Sequence, residues 1–468
     1  MTKWGCHEFC PSYDDAGKDI DCPMKCMYVL LIRCHFALEP HLMLARSEQP
    51  VGKFEDLING ARIHSSLYRD PAIFQRELDL IWYKVWVYLG HETEVPGPGD
   101  YIRRQIGLQP VLVVRGDDGA IRVFFNRCRH RGNLLCQRDR GNAAKIICPY
   151  HGWTYARSGD LLEPTFEEGY DHNLSRGDFG LTPVPRVDAY RGLIFASVSA
   201  DGISLDEHLG GMKEYIDLFM DLSPTGEIEL RKGVQKLRCR GNWKFHPENS
   251  MEGDYHGPFI HRIAFELHAR ATGLDMSSLQ VNEIPDVLRS LPGGHMVEDY
   301  RGATMTPPTS PPSPARRAYL EMMESRYGKE KTRQLTTTIA PLFFVFPNLI
   351  YIMTHIRRIQ PVSVNESSVY YHPVFLKGAP DEINERRLRD HEFGFGPAGF
   401  IAPDDIEIME RSQIGVLSEG NEWQFIGRGM HRDKILPDGG STGYTMDENH
   451  VRGFWQHYCK LMNGNRQV

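Results

Sequence analysis

Between Phe54 and Val87 apolar residues recur at intervals of three and four, as in LYRDPAIFQRELDLIWYKVW, and this spacing predicts a helical lead-in. Asp70 followed by Pro71 predicts a helix start, with Asp as N-cap and Pro in the first turn. From Gly90 to Val198 the period drops to two. YIRRQI, PVLVVRG, IRVFFN, KIICPY and LIFASV are short β-rich runs punctuated by Gly and Pro, and they predict an antiparallel, hairpin-rich module. After Ser204 the helical spacing returns in LDEHLGGMKEYIDLFM. The runs IELRKGVQKLRCR, FFVFPNLIYIMTHIRRIQPV and SSVYYHPVF then predict strands of one larger sheet. PPTSPPSPARR, Pro307 to Arg317, is stiff and aperiodic and is expected to be a surface loop.

The chain has 468 residues, enough for two or three domains around a sizeable core. Its 54 basic and 61 acidic residues are interspersed, and the formal charge of -7 argues against nucleic acid or a membrane surface as partner. The longest early apolar run, MYVLLI (Met27 to Ile32), is too short to span a bilayer and follows no signal-peptide pattern. A cytoplasmic location is the expectation, with the ten cysteines as free thiols or metal ligands rather than disulfides. Residues 1–45 hold five of those cysteines without any sustained period. They are expected to be a poorly ordered or non-native extension, with Met43 as an alternative start and a zinc clip at Cys6/Cys10 and Cys22/Cys26 as the other reading.

The β-rich module carries the first cluster of chemistry. CRHRG (Cys128 to Gly132) gives Cys-x-His, and after seventeen residues CPYHGWTY (Cys148 to Tyr155) gives Cys-x-x-His. Two thiolates and two imidazoles from two matched turns suit a two-iron, two-sulfide cluster of the Rieske type, with Cys128 and Cys148 on one iron and His130 and His151 on the other. Neutral imidazoles remove negative charge from such a cluster and raise its potential. Gly132 and Gly152 permit tight loops whose N–H groups face the sulfides. A Cys2His2 zinc site could use the same donors, although structural zinc sites usually separate their cysteines from their histidines along the chain.

On these motifs the chain, from Phe54 to about Gly453, resembles the Rieske non-haem iron ring-hydroxylating oxygenases, specifically their large catalytic α subunit. The resemblance implies an α+β fold: an N-terminal Rieske antiparallel β domain, then a catalytic domain whose antiparallel sheet is surrounded by helices in a helix-grip, START-like arrangement. The expected division is an extension over 1–45, the helical lead-in over 46–88, the Rieske domain over 89–200 and the catalytic mononuclear iron domain over 201–468.

GNWKFHPENSMEGDYHGPFIH is similar to the family's catalytic-helix motif, and His256 and His261 match its two iron-binding histidines. Five residues along a straight helix rotate a side chain about 140°, too far for two imidazoles to share a metal. Pro258 is expected to end or distort the helix just after His256 and swing His261 back. A facial triad also needs a carboxylate. In FGPAGFIAPDDIEIMERSQ, Asp404 and Glu407 form a D-x-x-E capping box that would occupy Asp404 and leave Asp405 free. The family motif points to Asp405 as well.

Family members commonly carry an Asp three residues before the first iron histidine, where it passes electrons from the cluster of a neighbouring subunit. Here that position is Gly253, and Glu252 and Asp254 are the two candidates to replace it. Asn249 joins them as a catalytic candidate. Met251, Phe395, Phe400 and Ile401 are candidates for the substrate pocket, and Arg357 or Arg358 for a carboxylate on a benzoate- or salicylate-type substrate.

The resemblance further implies an aromatic substrate, O2, and NADH electrons through a flavin reductase or ferredoxin, since the chain has no dinucleotide fingerprint of its own. A cis-dihydrodiol is the expected product, with a phenol from a ring monooxygenase as alternative. A small β subunit in an α3β3 assembly, or an α3 homotrimer, is the expected state. A Rieske electron-transfer protein and a zinc-stabilised binding protein are the readings from other classes.

Overall fold

The computed structural model describes residues 53–170, 174–230, 233–252, 255–272, 283–302, 311–337 and 340–464. The cysteine-rich extension, Gly253 and Asp254 therefore lie outside the described residues.

The lead-in opens with one 3-10 turn, Phe54–Asp56, and then a hairpin rather than a continuous helix. Strands Ile58–Asn59 and Arg62–His64 turn at Gly60 (φ +57°) and pair with the distant strand Trp423–Phe425. The 3.6 period holds further on. Asp70 accepts a hydrogen bond from the Ala72 N–H at 2.8 Å, Pro71 starts the helix Pro71–Glu77, and a π turn over Leu78–Trp82 continues it. That helix ends with Glu77 fully buried.

The β-rich runs fold as expected into small antiparallel sheets. Ile121–Phe125, Gln109–Arg115, Asp100–Ile106 and Arg140–Asn142 form one four-stranded sheet. Leu161–Glu163, Thr154–Tyr155 and Ile146–Ile147 form a second, smaller one. Leu112, Val114, Phe124, Ile146, Trp153 and Tyr155 are buried together as a core of their own. A third sheet joins Arg186–Tyr190 and Leu193–Ser197 to Val87–His91. On that last strand Tyr88 gives its N–H to the Asn348 side chain at 2.9 Å and takes a hydrogen bond from it at 3.0 Å, so one amide ties the strand to the rest of the molecule.

A nine-stranded antiparallel sheet follows. Its strands are β1 (Gln235–Cys239), β2 (Leu288–Leu291), β3 (His295–Glu298), β4 (Leu342–Val345), β5 (Leu349–Ile352), β6 (His355–Ser363), β7 (Glu366–Pro373), β8 (Lys434–Ile435) and β9 (Ser441–Gly443). Their spatial order is β1-β7-β6-β5-β4-β3-β2-β9-β8. FFVFPNLIYIMTHIRRIQPV thus supplies three strands, because Pro347 and Asn348 turn the chain once and Met353, at φ +50°, turns it again.

The helices that bear on the site are α1 (Phe245–Ser250), α2 (Gly257–Ile260), α3 (Arg262–Thr272), α4 (Asp381–Phe395), α5 (Ala402–Gly415) and α6 (Asn449–Met462). Trp243, Met251, Phe395, Ala402, Phe454 and Tyr458 from this helical layer share one core with Phe344, Ile350, Ile359, Val369 and Tyr371 of the sheet. The opposite face of the sheet packs Phe219, Phe343, Tyr351 and Ile356 into a second core. The architecture is α+β, as expected. The last residues of PPTSPPSPARR are not loop, since Ser313 caps a helix over Pro314–Tyr327 and they form its first turn; residues 307–310 lie outside the described residues.

Candidate metal centres

In the β-rich module the two Cys/His turns are built alike. The Cys128 N–H donates to Asn133 O at 2.8 Å and the Gly132 N–H to Cys128 O at 3.0 Å; the Cys148 N–H donates to Trp153 O at 2.8 Å and the Gly152 N–H to Cys148 O at 3.0 Å. Both glycines are left-handed, at φ +71° and +73°, a conformation a side chain would strain. Cys128 and Cys148 are buried and unbridged. His130 and His151 face one another with ring centroids 4.7 Å apart, and His130 stacks on Trp153 at 4.9 Å. His130 Nδ1 is buried without a hydrogen-bond partner, as a nitrogen kept for a metal should be. Burial, then His151 and Arg131, lower the His130 pKa and keep the ring neutral. Tyr155 O–H lies 3.2 Å from Cys128 Sγ. Two thiols and two imidazoles on paired loops fit a Rieske cluster.

The second centre is assembled from distant segments. His256 Nε2 and His261 Nε2 are 3.1 Å apart, and Asp405 Oδ1 lies 3.6 Å from the first and 3.1 Å from the second. Bonds of ~2.1 Å at right angles would leave neighbouring ligand atoms ~3.0 Å apart, so these three fit one face of an octahedral iron. Among the described residues this is the one group of its kind.

The local route to that geometry differs from the expected one. The helix ends at Ser250, before His256, and Pro258 sits in the first turn of a new one. His256 is the N-cap of the four-residue α2 and His261 its C-cap, so the histidines flank a single turn. The expected capping box is also absent. α5 begins at Ala402 with Ile401 as N-cap and no side-chain cap, because Pro403 fixes the first turn two residues earlier. Asp404 is then already inside the helix and Glu407 pairs with Arg411 at 2.8 Å. Asp405 is free because it points inward, 2% exposed.

The surrounding charges set the protonation states. Burial alone would lower the His256 pKa, but hydrogen bonding and attraction to Glu252, with Asp405, raise it. The Glu252 carboxylate closes on His256 Nδ1, which makes that nitrogen the donor and leaves Nε2 with a free lone pair. Burial would raise the Asp405 pKa, but His261, Arg357 and His256 more than offset it and the carboxyl is held low. Asn249 Nδ2 donates to Asp405 Oδ1 at 3.3 Å.

Met251 and Phe395 are buried in the shared core, and Ile401 stands at the start of α5. Phe400 is not brought to the centre; it is 41% exposed against Phe393. Of the two arginines, Arg357 is on the helix-facing side of the sheet and donates to Ser250 Oγ at 2.7 Å. Arg358 points the other way, over the Tyr370 ring at 4.0 Å.

Several residues that hold this centre carry no motif. Buried Glu77 accepts from Lys244 Nζ at 2.6 Å, Trp243 Nε1 at 2.7 Å and Tyr458 O–H at 2.6 Å. One turn further on, Glu248 accepts from Tyr68 O–H at 2.7 Å and Trp455 Nε1 at 2.6 Å. Burial pushes the Glu248 carboxyl up to about 7. No local spacing in the sequence marks either glutamate as the partner of these side chains.

A paired Cys/His turn and a His/His/Asp face in one chain define an iron-dependent oxidoreductase with an electron-supplying cluster. Comparison with known proteins gives the same result. A family profile described as a Rieske 2Fe-2S domain matches residues 85–170, and one described as the ring hydroxylating alpha subunit (catalytic domain) matches residues 219–464. The chain is 31% identical over 377 residues to the 2-halobenzoate 1,2-dioxygenase large subunit of Burkholderia cepacia, covering 79% of this chain and 80% of that protein. It is 32% identical over 414 residues to the biphenyl 2,3-dioxygenase subunit alpha of Rhodococcus jostii, covering 86% and 89%. The structure of naphthalene 1,2-dioxygenase from a Rhodococcus species bound to indole superposes with a TM-score of 0.73 at 26% identity, over 86% of this chain and 94% of that one. The chain belongs to the family of ring-hydroxylating oxygenase alpha subunits, oxidoreductases that carry a Rieske cluster and a mononuclear iron.

Proposed function

We propose that the chain is the terminal oxygenase of a multicomponent aromatic-ring dioxygenase, with Cys128, His130, Cys148 and His151 holding the cluster and His256, His261 and Asp405 holding Fe(II). The observation that carries this is the convergence of two imidazole Nε2 atoms and one carboxylate oxygen at spacings of 3.1 to 3.6 Å. When bound, the iron supplies an open, redox-active position for O2 beside the substrate, and the cluster supplies the electrons.

The chain's own residues do the rest. Glu252 holds the His256 Nδ1 proton and fixes the tautomer that leaves Nε2 for metal. It is therefore our choice for the acid that family members use on the electron path between subunits; Asp254 lies outside the described residues. Asn249 orients the Asp405 carboxylate through its amide N–H. Met251, Phe395 and Ile401 supply the apolar side on which an aromatic ring rests.

Electrons come from NADH through a flavin reductase or ferredoxin, and the chain works in the cytoplasm as an α3β3 or α3 assembly. No helix among the described residues is long and apolar enough to cross a membrane. The test is 18O2 turnover with a surrogate reductase over benzoates, salicylates, biphenyl and polycyclic arenes. Two labelled oxygens in a cis-dihydrodiol are expected. One labelled oxygen in a phenol would make the chain a ring monooxygenase, and no labelled product from any arene would end the reading. Glu252→Gln should uncouple NADH oxidation from product formation while the cluster remains reducible.

A further inference from the structure

The helix-facing side of β6 and β7 carries a group of polar side chains that neither metal centre uses. Arg357 pairs across the strands with Tyr371, and His355 lies two residues back on the same face. All three are buried, Arg357 at 2% exposure and the others at none. The Arg357 guanidinium stands 4.9 Å from the Tyr371 ring and 5.1 Å from the Phe395 ring, and His355 is 4.3 Å from Phe395. The group thus adjoins a residue of the apolar side, and Arg357 is near enough to Asp405 to lower its pKa.

Arg357 has no anionic partner here. Among the described residues it donates from Nε to His355 Nε2 at 3.0 Å and from Nη1 to Ser250 Oγ at 2.7 Å, and no carboxylate pairs with it. A guanidinium can only donate, so His355 Nε2 accepts, and a neutral His355 must carry its proton on Nδ1. Burial, with Arg357 and His391 beside it, keeps that ring neutral. His355 Nδ1 and the Tyr371 hydroxyl are both buried with no hydrogen-bond partner. Two buried donors thus have no acceptor, beside a buried cation with no directly paired anion, an arrangement that is costly unless a ligand completes it. The neighbouring Arg358 faces the other side of the sheet, away from Phe395, and bonds Gln360 at 3.3 Å.

We propose that Arg357, the Tyr371 O–H and the His355 Nδ1–H together bind the carboxylate of an aromatic acid, so that the substrates are ring carboxylates rather than neutral arenes. The inference rests on the oxygenase reading above. The carboxylate supplies the missing negative charge and accepts from both orphan donors. The ring is then directed along Phe395 toward the triad.

Calorimetry on the anaerobic holoenzyme tests this with benzoate, 2-aminobenzoate and 2-chlorobenzoate as probes and toluene as the neutral control. At least one acid should bind about tenfold more tightly than toluene. Tyr371→Phe should weaken that acid about fivefold and Arg357→Met about thirtyfold or more, with toluene affinity changed less than about threefold in either variant. Binding of none of the three acids below millimolar concentration would overturn the proposal. So would toluene binding as tightly as the acids, or an equal loss for acid and toluene in the variants. If Arg357→Met fails to fold, Tyr371→Phe and His355→Asn decide the matter by the same ratio of acid to toluene. Labelled product from toluene that survives Arg357→Met would sink the anchor and leave the oxygenase intact. Acids that bind in the expected pattern yet give no labelled product would sink the oxygenase reading instead.

Discussion

The two proposed metal centres solve the same problem in opposite ways. The cluster turns are local: each is a six-residue loop closed by its own backbone, and the second repeats the hydrogen bonds of the first. The iron centre joins a four-residue helix to an aspartate 144 residues later, and is held in register by Glu77, Glu248 and the aromatic and lysine side chains around them. A local site needs its glycines and little else. An assembled site needs a buried polar scaffold, and its weak points lie far from the metal.

The most complete separation should come from the ligands themselves. Asp405→Ala should cost at least about 100-fold in product formation and strip the mononuclear iron, leaving the cluster's visible spectrum unchanged. His130→Ala should do the reverse, with iron analysis and absorbance as the two readouts. Joint loss of both metals in either variant would mean the centres are not independent.

Acid should divide the regions next. Burial lowers the pKa of His246 to about 3, of His295, His372 and His391 to about 4, and of His450 and His457 to about 3. All six lie after residue 200. Because the folded pKa values are below the unfolded 6.5, the unfolded chain binds the extra protons. They leave the folded state's margin untouched above pH 6.5 and erode it as the pH falls toward 4. By pH 4 each costs on the order of 3 kcal/mol relative to neutral pH, and together they exceed an ordinary domain's margin. Near-UV circular dichroism from pH 7 to 4 should show the catalytic region melting while the cluster's absorbance persists. Loss of the cluster first would contradict this.

Glu77→Ala should come third. It leaves Lys244 buried without its acid and should cost about 3–5 kcal/mol in urea unfolding; Glu77 touches neither metal centre, so a cost under about 1 kcal/mol would show the scaffold to be dispensable. The smallest effect belongs to Tyr155→Phe. Removing a hydrogen bond to Cys128 Sγ withdraws about 1 kcal/mol from the reduced cluster. Voltammetry should find the potential lowered by some tens of mV.

The same contrast explains what the sequence could tell. Cys128, His130, Cys148 and His151 were legible because spacing within a turn is a property of consecutive residues. The alternation that marks β-strands was legible for a similar reason. His256, His261 and Asp405 were reached only through the family motif, and the local explanations for them did not hold. Pro258 opens a helix rather than ending one, and Asp404 caps nothing. Glu77 and Tyr371 could not be singled out at all. Their roles come from partners hundreds of residues away or on a neighbouring strand, where no local spacing points. The hairpin at Ile58–His64 was missed because its partner strand, Trp423–Phe425, lies at the other end of the chain.

The reach of Glu77 has a further consequence, for the order of events during synthesis. Its three partners are separated from it by 166, 167 and 381 residues, the last being Tyr458 on α6. The cluster turns and their sheets are complete once Ser197 has emerged, whereas the iron scaffold stays open until Tyr458 has left the ribosome. For most of its synthesis the nascent chain is a finished electron-transfer module followed by an unfinished catalyst, so the step that could damage the protein with stray oxygen chemistry is also the last to be assembled.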